Sequence, residues 1–236
     1  MRTTTKIRYV AEPNHVREVT LTGTADLRFW SDFLKAEGLT PVRYGDDAQM
    51  VIVAAEMVYL GLRFTEVSFS VRAVLTESGS GISGMRLIHA FTSSRLFAWC
   101  ERTIFKTPYG HGECHVSVQG QPSLRLDAQG ARALSAEMLS VERSATRAGE
   151  ESWEGPVFLP PCGAAERSRL FFGRLRGHTV VYPFSGDDRF VLEPSAAGGV
   201  LQPLADSRFQ PQEWVVRADA THGKSKTYQR TDVFLP

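Results

Sequence analysis

Apolar and polar residues alternate with a period of two along most of this chain, the spacing that sends successive side chains to opposite faces of a β-strand. In the stretch RFTEVSFSV, Val67, Phe69 and Val71 share one face, and mostly polar residues occupy the other. Turn-forming sequences such as GQPS and DAQG separate several of these segments. The pattern predicts a mainly β, largely antiparallel fold. The strands expected are 16–22, 50–55, 60–75, 85–91, 112–118, 124–127, 131–138, 170–175, 178–184, 189–192, 200–204, 214–218 and 227–234.

Two segments follow helical spacing instead. The first is Ala25–Glu37, with Thr24 as its cap and Gly38 as its end. The second is Ser93–Ile104, capped by Ser93 or Ser94, and Pro108 prevents it from continuing. The fold should therefore contain about two helices. The stripes expected to face the core are Leu27, Trp30, Phe33 and Leu34 in the first, and Leu96, Phe97, Cys100 and Ile104 in the second.

Composition narrows the class of protein. The formal net charge is only +1, so no overall field attracts the chain to nucleic acid or to a membrane, and we expect neither as a partner. The three cysteines have no metal-type spacing, and the first residues lack the apolar run of a signal peptide. No stretch approaches the ~18 consecutive apolar residues of a membrane span. We expect a cytoplasmic protein with reduced cysteines.

The chain reads as a single domain over residues 1–236. The polar tract at 140–155 is the best candidate for a linker, and we interpret it as a surface loop within one sheet system. A second sequence feature, Gly79-x-Gly81-x-x-Gly84, formally matches a dinucleotide fingerprint. That fingerprint needs a helix directly after it, whereas MRLIHAF reads as a strand, so a hairpin loop is the better interpretation.

The most chemically suggestive feature is a row of titratable residues after Pro108. Tyr109, His111, Glu113 and His115 stand at every second position and would share one face of a single strand. Such a face either lines a pocket, where imidazoles and a carboxylate move protons, or meets solvent as the outer face of an antiparallel sheet. The row could also supply three metal ligands, although its spacing matches no compact zinc motif. We expect neither a metal nor another cofactor.

Glu66 is the second candidate. It lies opposite the more apolar face of its strand, so it faces either solvent or a cavity. A carboxyl group inside a cavity has a raised pKa and becomes useful as an acid or base. His89, among the apolar residues of RLIHAF, is better read as a core or edge histidine.

Three pieces of sequence, in order, resemble the acetoacetate decarboxylase-like superfamily. A strand bearing a glutamate, YLGLRFTEVSFSV, is followed by the hairpin return GMRLIHAF, and then a helix ends in an arginine-containing segment before a proline, CERTIFKTPY. The resemblance covers roughly residues 50 to 120. It implies a cone-shaped β-barrel around a central cavity, with Glu66 and Arg102 in the places of the family's glutamate and arginine.

The decarboxylases of this family use a lysine just after the proline to form a Schiff base. Here Tyr109 and Gly110 occupy those positions, and Lys106 comes three residues too early. The resemblance thus implies the family's barrel without its usual nucleophile.

From these observations we expect a cavity protein acting on a small oxo- or enol-type acid by acid/base chemistry. Glu66 and His111 or His115 would exchange protons, Arg102 would attract a carboxylate, and Tyr109 would donate to an oxyanion. The alternatives are a non-catalytic ligand-binding module and a Schiff-base enzyme using Lys106. The expected partner is a small molecule, and exposed strand edges also allow a homo-oligomer.

Overall fold

The computed structural model describes residues 10–75, 82–140, 142–160 and 169–229. β-strands dominate these residues. The strands are β1 (Val10–Ala11), β2 (Asn14–Ala25), β3 (Leu39–Pro41), β4 (Arg43–Tyr44), β5 (Asp47–Tyr59), β6 (Leu62–Leu75), β7 (Ser83–Thr92), β8 (Tyr109–His111), β9 (Glu113–Ser117), β10 (Ser123–Ala128), β11 (Ala131–Glu137), β12 (Arg147–Leu159), β13 (Arg169–Pro183), β14 (Arg189–Leu192) and β15 (Gln210–Gln229).

Short helices connect some of the strands. The α-helices are α1 (Leu27–Leu34), α2 (Arg95–Cys100) and α3 (Gln202–Asp206). Helix α1 continues into a 3₁₀ turn at Lys35–Glu37, α2 continues into a π-helix at Glu101–Phe105, and a second 3₁₀ turn covers Pro194–Ala197. Among the described residues, no helix is long and apolar enough to cross a membrane.

The large sheet closes on itself. Its strands run in the order β6-β5-β2-β15-β13-β12-β7, and β7 pairs back onto β6, which completes a ring of seven strands. Six of these seven pairings are antiparallel, and β12 and β7 pair in parallel. The predicted mainly β, largely antiparallel barrel is therefore confirmed.

Exposure of the β12–β13 hairpin distinguishes the inside of the barrel from the outside. On one face Arg174 pairs with Glu154, and both side chains are 62% exposed. On the opposite face of β13, Leu175, Gly177 and Thr179 are buried. Because the sheet is closed, the buried face of this hairpin is the interior of the barrel.

A second sheet covers part of the outside. It has the order β14-β11-β10-β9, and β9 lies against β2, β5 and β6. The main hydrophobic core fills the space between this small sheet, α1 and the barrel wall. The apolar face predicted for β6 belongs to this core, since Val67, Phe69 and Val71 are fully buried there. Glu66 on the other face therefore points into the barrel.

The two predicted helices form, with differences at their ends. Gly38, at φ 62°, ends the first helical segment as predicted, but the cap is Asp26, whose Oδ1 accepts from the Phe29 amide at 2.7 Å. Ser94 caps the second helix. The predicted buried stripe of this helix is wrong at Leu96 and Ile104, which are 57% and 58% exposed. The π-helix adds a residue to the last turn and rotates Ile104 away from the barrel.

Several strand predictions need correction. The polar tract at 140–155 is not a loop throughout, because its residues from 147 onward form the first part of β12. The side chains of Glu150, Ser152 and Glu154, on one face of this part of β12, are exposed on the outside of the barrel, which explains why the tract looks like a linker in sequence. Residues 202–204, predicted as strand, belong to α3. The predicted strands 170–175 and 178–184 are both part of β13, and 214–218 and the start of 227–234 are part of β15, while residues 230–234 lie outside the described residues.

The glycine-rich segment leads into β7, so a strand and not a helix follows it, as predicted. Residues 79–81 lie outside the described residues. His89, interpreted from sequence as a core or edge histidine, is partly buried: its ring packs against Phe91, with centroids 4.8 Å apart, and burial lowers its pKa to about 4.

Candidate functional site

The phenol of Tyr109 and the carboxylate of Glu66 meet inside the barrel. Tyr109 donates its hydroxyl proton to Oε1 of Glu66 at 2.9 Å, and both residues are partly buried. Glu66 lies opposite Ala55 on one side and Thr92 on the other, in the middle of the β5-β6-β7 wall. Two of the candidates predicted from separate segments of the sequence are thus brought into direct contact.

The chain between α2 and β8 positions Tyr109. The π-helix ends at Lys106, which adopts the left-handed conformation at φ 55°. Thr107 then folds back, its amide donating to the Glu101 carbonyl at 2.9 Å, and Pro108 keeps the following residue out of the helix. β8 pairs in parallel with β7, placing Tyr109 beside Ala90. Tyr109 therefore shares the inward-facing side of Ala90 and packs against the small apolar cluster of Leu87, Ala90 and Leu159.

Burial makes the carboxyl group of Glu66 a weaker acid than usual. Desolvation raises its pKa to about 7, the hydrogen bond from Tyr109 acts in the opposite direction, and the nearby charge of Glu101 raises it further. A carboxyl group with this pKa exists in both protonation states near neutrality. It can therefore accept a proton and return it under the same conditions.

Glu101 is a second acidic group near Glu66. Its Oε2 accepts a hydrogen bond from the Thr107 hydroxyl. Burial raises the pKa of Glu101, while the Thr107 hydrogen bond and the positive charge of Arg169 act in the opposite direction. Two carboxyl groups whose charges disfavour each other share this end of the barrel, so protonation of one eases ionisation of the other.

Arg169 supplies the positive charge of this region. Only 4% of the residue is exposed, and its guanidinium donates to the backbone carbonyls of Phe105 and Lys106. It begins β13 opposite Leu159, a member of the cluster that packs on Tyr109. Arg169 thus fixes the end of the π-helix and places a buried cation close to the carboxyl pair.

The predicted row of titratable residues does not stay together. Tyr109 and His111 belong to β8 of the barrel, whereas Glu113 and His115 belong to β9 of the small sheet. Gly112 is buried at the crossing, where an added Cβ would lie 2.8 Å from Leu126. His111, Glu113 and His115 are all exposed. The expectation of one continuous polar face is therefore wrong beyond Tyr109.

Glu113 and His115 come close to Asp127, within 4.8 Å between potential ligand atoms. Two arginines already occupy this cluster. Asp127 pairs with Arg125 and Arg132, each at 3.0 Å, and Arg125 also lies 3.0 Å from Nε2 of His115. The positive charge of both arginines opposes binding of a cation here.

The two remaining candidates from the sequence, Arg102 and Lys106, are exposed. The Arg102 guanidinium donates to the Ala98 carbonyl of its own helix at 3.3 Å. A buried cation of this region is Arg169, whose charge acts on Glu101. Sequence reasoning missed Arg169 because it belongs to no motif. It missed Glu101 because the resemblance in CERTIFKTPY directed attention to the neighbouring Arg102.

Two cavities among the described residues lie elsewhere. One of about 260 Å³ separates the small sheet from the outside of the barrel, between Met138 and Tyr182. Another of about 160 Å³ lies beside Lys35 and Pro41. Neither is lined by Glu66 or Tyr109.

Comparison of structures identifies the architecture. The enduracididine biosynthesis enzyme MppR complexed with pyruvate superposes with a TM-score of 0.63 at 14% identity, over 92% of this chain and 88% of that one. The chain has the acetoacetate decarboxylase-like fold. Acetoacetate decarboxylase from Legionella pneumophila gives 0.55 at 12% identity, over 96% and 87% of the two chains. An acetoacetate decarboxylase-like enzyme from Sphingomonas wittichii RW1 gives 0.56 at 13% identity, over 93% and 92%.

At the level of sequence, no family model and no curated protein matches this chain. The fold is thus shared with acetoacetate decarboxylase-like enzymes at only 12–14% sequence identity. The fold implied by the short motifs around Glu66 and Pro108 is confirmed.

Proposed function

We propose that this protein binds a small 2-oxo acid inside its acetoacetate decarboxylase-like barrel and exchanges protons with it through Glu66. The observation that carries the proposal is the 2.9 Å hydrogen bond from Tyr109 to Glu66 on the inward-facing side of β6. The pyruvate in the MppR complex supports the choice of a 2-oxo acid, since that enzyme shares this fold.

In this scheme the carboxylate of Glu66 removes a proton from the carbon next to the ketone, and the electron pair of that C–H bond moves onto the ketone oxygen. The product is an enolate, whose oxygen accepts a hydrogen bond or a proton from Tyr109, and reversal returns the proton from Glu66 to carbon. Tyr109 holds Oε1, which orients the other carboxylate oxygen toward the substrate. Once Glu66 is protonated, it can donate a hydrogen bond to the phenol oxygen of Tyr109. The hydroxyl proton of Tyr109 can then be donated to the substrate oxygen.

Arg169 replaces Arg102 in this proposal as the cation that attracts the substrate carboxylate. Its side chain is buried next to Glu101, whereas the guanidinium of Arg102 is exposed and bonded to its own helix. A buried guanidinium attracts an anion more strongly than an exposed one because less solvent screens it.

The direct test is exchange of the pyruvate methyl protons in D₂O, followed by proton NMR. We expect the protein to accelerate loss of the methyl signal above the buffer rate. If saturation-transfer NMR shows that pyruvate binds but its proton exchange is not accelerated, the alternative of a non-catalytic binding module is favoured. If neither pyruvate nor 2-oxobutyrate binds or exchanges protons faster than in buffer, the proposal is contradicted.

Borohydride reduction in the presence of pyruvate separates this chemistry from the Schiff-base alternative. Lys106 is exposed, whereas a Schiff-base lysine is typically held in a desolvated site that lowers its pKa. We expect no pyruvate-derived mass on any lysine peptide. Reductive labelling of Lys106, lost in Lys106→Arg, would show that the protein uses the Schiff-base route.

Tyr109→Phe tests the role of the phenol. The substitution removes the hydrogen bond that lowers the pKa of Glu66, so we expect the midpoint of the pH–exchange profile to move upward from about 7. The exchange rate at pH 7 should fall by about 10²-fold, the usual cost of losing one positioned donor. Tyr44→Phe is the matched control, because Tyr44 is 59% exposed on β4. An unchanged midpoint in Tyr109→Phe would rule out this role.

A further inference from the structure

Large apolar side chains are exposed together at one end of the barrel. The end patch, as we call it, consists of Leu60, Leu62, Leu96, Trp99 and Ile104, each at least half exposed. The first two form the tip of the β5–β6 hairpin, and the others project from α2 and the π-helix. The remaining exposed large apolar residues of the described chain, Phe33, Tyr44 and Leu139, lie on other elements.

Contacts beneath the end patch hold its two parts together. The ring of Phe97, from α2, packs on Phe64 with centroids 4.7 Å apart and on Tyr59 at 6.2 Å. At the start of the helix, the Ser93 amide donates to the Thr65 carbonyl and the Ser93 hydroxyl accepts from the Thr65 amide, each at 2.9 Å. The hairpin tip and the helix therefore form one surface.

The hairpin turn is unfavourable by itself, which indicates that Leu60 is there for another reason. Leu60 and Gly61 both have positive φ angles, 52° and 78°, as in a two-residue type I′ turn. Asn, Asp or Gly is strongly preferred at the first of these positions, because Cβ lies too close to the following carbonyl oxygen there and only a glycine or a short polar side chain that hydrogen-bonds locally avoids or offsets this strain. The residue at this position is nevertheless a leucine, and its side chain is 80% exposed. Neither the backbone conformation nor the exposure to water favours a leucine here.

Basic residues surround the end patch. Arg63, Arg95, Arg102 and Lys106 are exposed on the same hairpin and helix. Glu56 pairs with Arg17 and Arg63 and so offsets part of this charge, and Glu101 accepts from Thr107, which leaves Arg95, Arg102 and Lys106 as the main cations beside the patch. A second copy docked on this surface by a two-fold axis would bring the cations of both copies together. An anionic surface complements them.

We propose that the end patch docks onto an anionic lipid surface. Leucine, isoleucine and tryptophan side chains would enter the boundary between headgroups and acyl chains, while the arginines and the lysine bind lipid phosphates. The small net charge of +1 does not oppose this, because the attraction is local and acts within about 8 Å at physiological salt. The surface lies directly before Pro108 and Tyr109, so docking would place the site next to the membrane.

Co-sedimentation with vesicles tests the proposal. We expect the full-length protein to sediment with phosphatidylcholine vesicles containing 30% phosphatidylglycerol, at least tenfold more strongly than with phosphatidylcholine alone, and to be released by 0.5 M NaCl. The double variant Leu96→Ser/Ile104→Ser should lose this binding. Tyr44→Ser, which removes an exposed aromatic ring on β4, should bind as the wild type does.

Leu60→Asn gives the sharpest result because it separates docking from folding. Asparagine suits the type I′ turn, so we expect a higher melting temperature together with at least threefold weaker vesicle binding. Equal sedimentation with both kinds of vesicle, or no sedimentation, would overturn the proposal. So would a wild-type dimer in light scattering that dissociates in Leu96→Ser/Ile104→Ser, since the occupant would then be a second copy.

Discussion

Replacing Glu66 with glutamine is expected to reduce pyruvate proton exchange at pH 7.5 by at least about 10²-fold, the usual contribution of a positioned general base. The amide keeps the size of the side chain and can still accept from Tyr109, so the geometry of the site should persist. Only the ability to take up a proton is lost. Proton NMR in D₂O measures the rate for both proteins at equal concentration.

The pH dependence of the wild type provides a second readout. The carboxylate is the active form, and desolvation raises the pKa of Glu66 to about 7. Exchange should therefore rise with pH and reach half of its maximum near pH 7, whereas Glu66→Gln should show no such step. A wild-type profile already at its plateau at pH 5 would mean that another group is the base.

Stability measurements show whether Glu66→Gln acts through folding. A carboxyl whose pKa is raised in the folded state binds its proton more tightly there, so the stability it contributes at low pH is lost as pH rises through 7. Glutamine stays neutral throughout. We expect Glu66→Gln to melt at or above the wild-type temperature at pH 8, with a smaller difference at pH 5. Glu154→Gln, on the outer face of β12, is the matched control and should leave exchange unchanged.

The alternation along β6 was sufficient to predict the direction of Glu66. Val67 and Phe69 are hydrophobic enough to fix the register of that strand against the main core, and a strand with a period of two leaves only one direction for Glu66. Whether that opposite side was solvent or interior depended on closure of the barrel by the β6–β7 pairing. Closure involves strands from the whole chain, and no local pattern reveals it.

The same period failed across Gly112. A two-residue repeat keeps side chains on one face only while the strand remains in one sheet, and here the chain passes from the barrel to the small sheet between His111 and Glu113. A buried glycine between polar residues was the available signal of that crossing. The period of the second helix failed in a similar way, because the π-helix at its end breaks the 3.6-residue spacing.

Arg169 illustrates what the sequence could not provide. It follows a polar segment far from Tyr109 in the chain, and its value lies in contacts with the carbonyls of Phe105 and Lys106. These carbonyls are available because a helix ends there, a fact of tertiary structure and not of residue type. The family motif before Pro108 pointed to Arg102 in its place, but the guanidinium of Arg102 is exposed and donates to its own helix.

Asp188→Ala is expected to be among the most destabilising single changes in the described part of the chain. The carboxylate side chain is completely buried and accepts from the Arg143 guanidinium at 2.7 and 2.8 Å and from Nε1 of Trp214 at 2.9 Å. The amides of Ser185 and Leu139 donate to it as well. Alanine would leave a buried cation and an indole N–H without their acceptor. Urea unfolding at pH 7 should show a loss of about 3–5 kcal/mol.

Acid should reduce this difference between Asp188→Ala and the wild type. Burial alone would raise the pKa of Asp188, but the hydrogen bonds from Arg143, Ser185, Trp214 and Leu139 outweigh it and hold the pKa at about 2, below its ordinary 3.8. A lowered carboxyl pKa contributes stability above pH 3.8 that is lost as pH falls toward 2. The variant and the wild type should therefore converge on acidification. Asp187→Ala removes an exposed neighbouring carboxylate and should cost less than about 0.5 kcal/mol; an equal loss in both variants would show that the loop, and not this buried hydrogen-bond network, determines the stability.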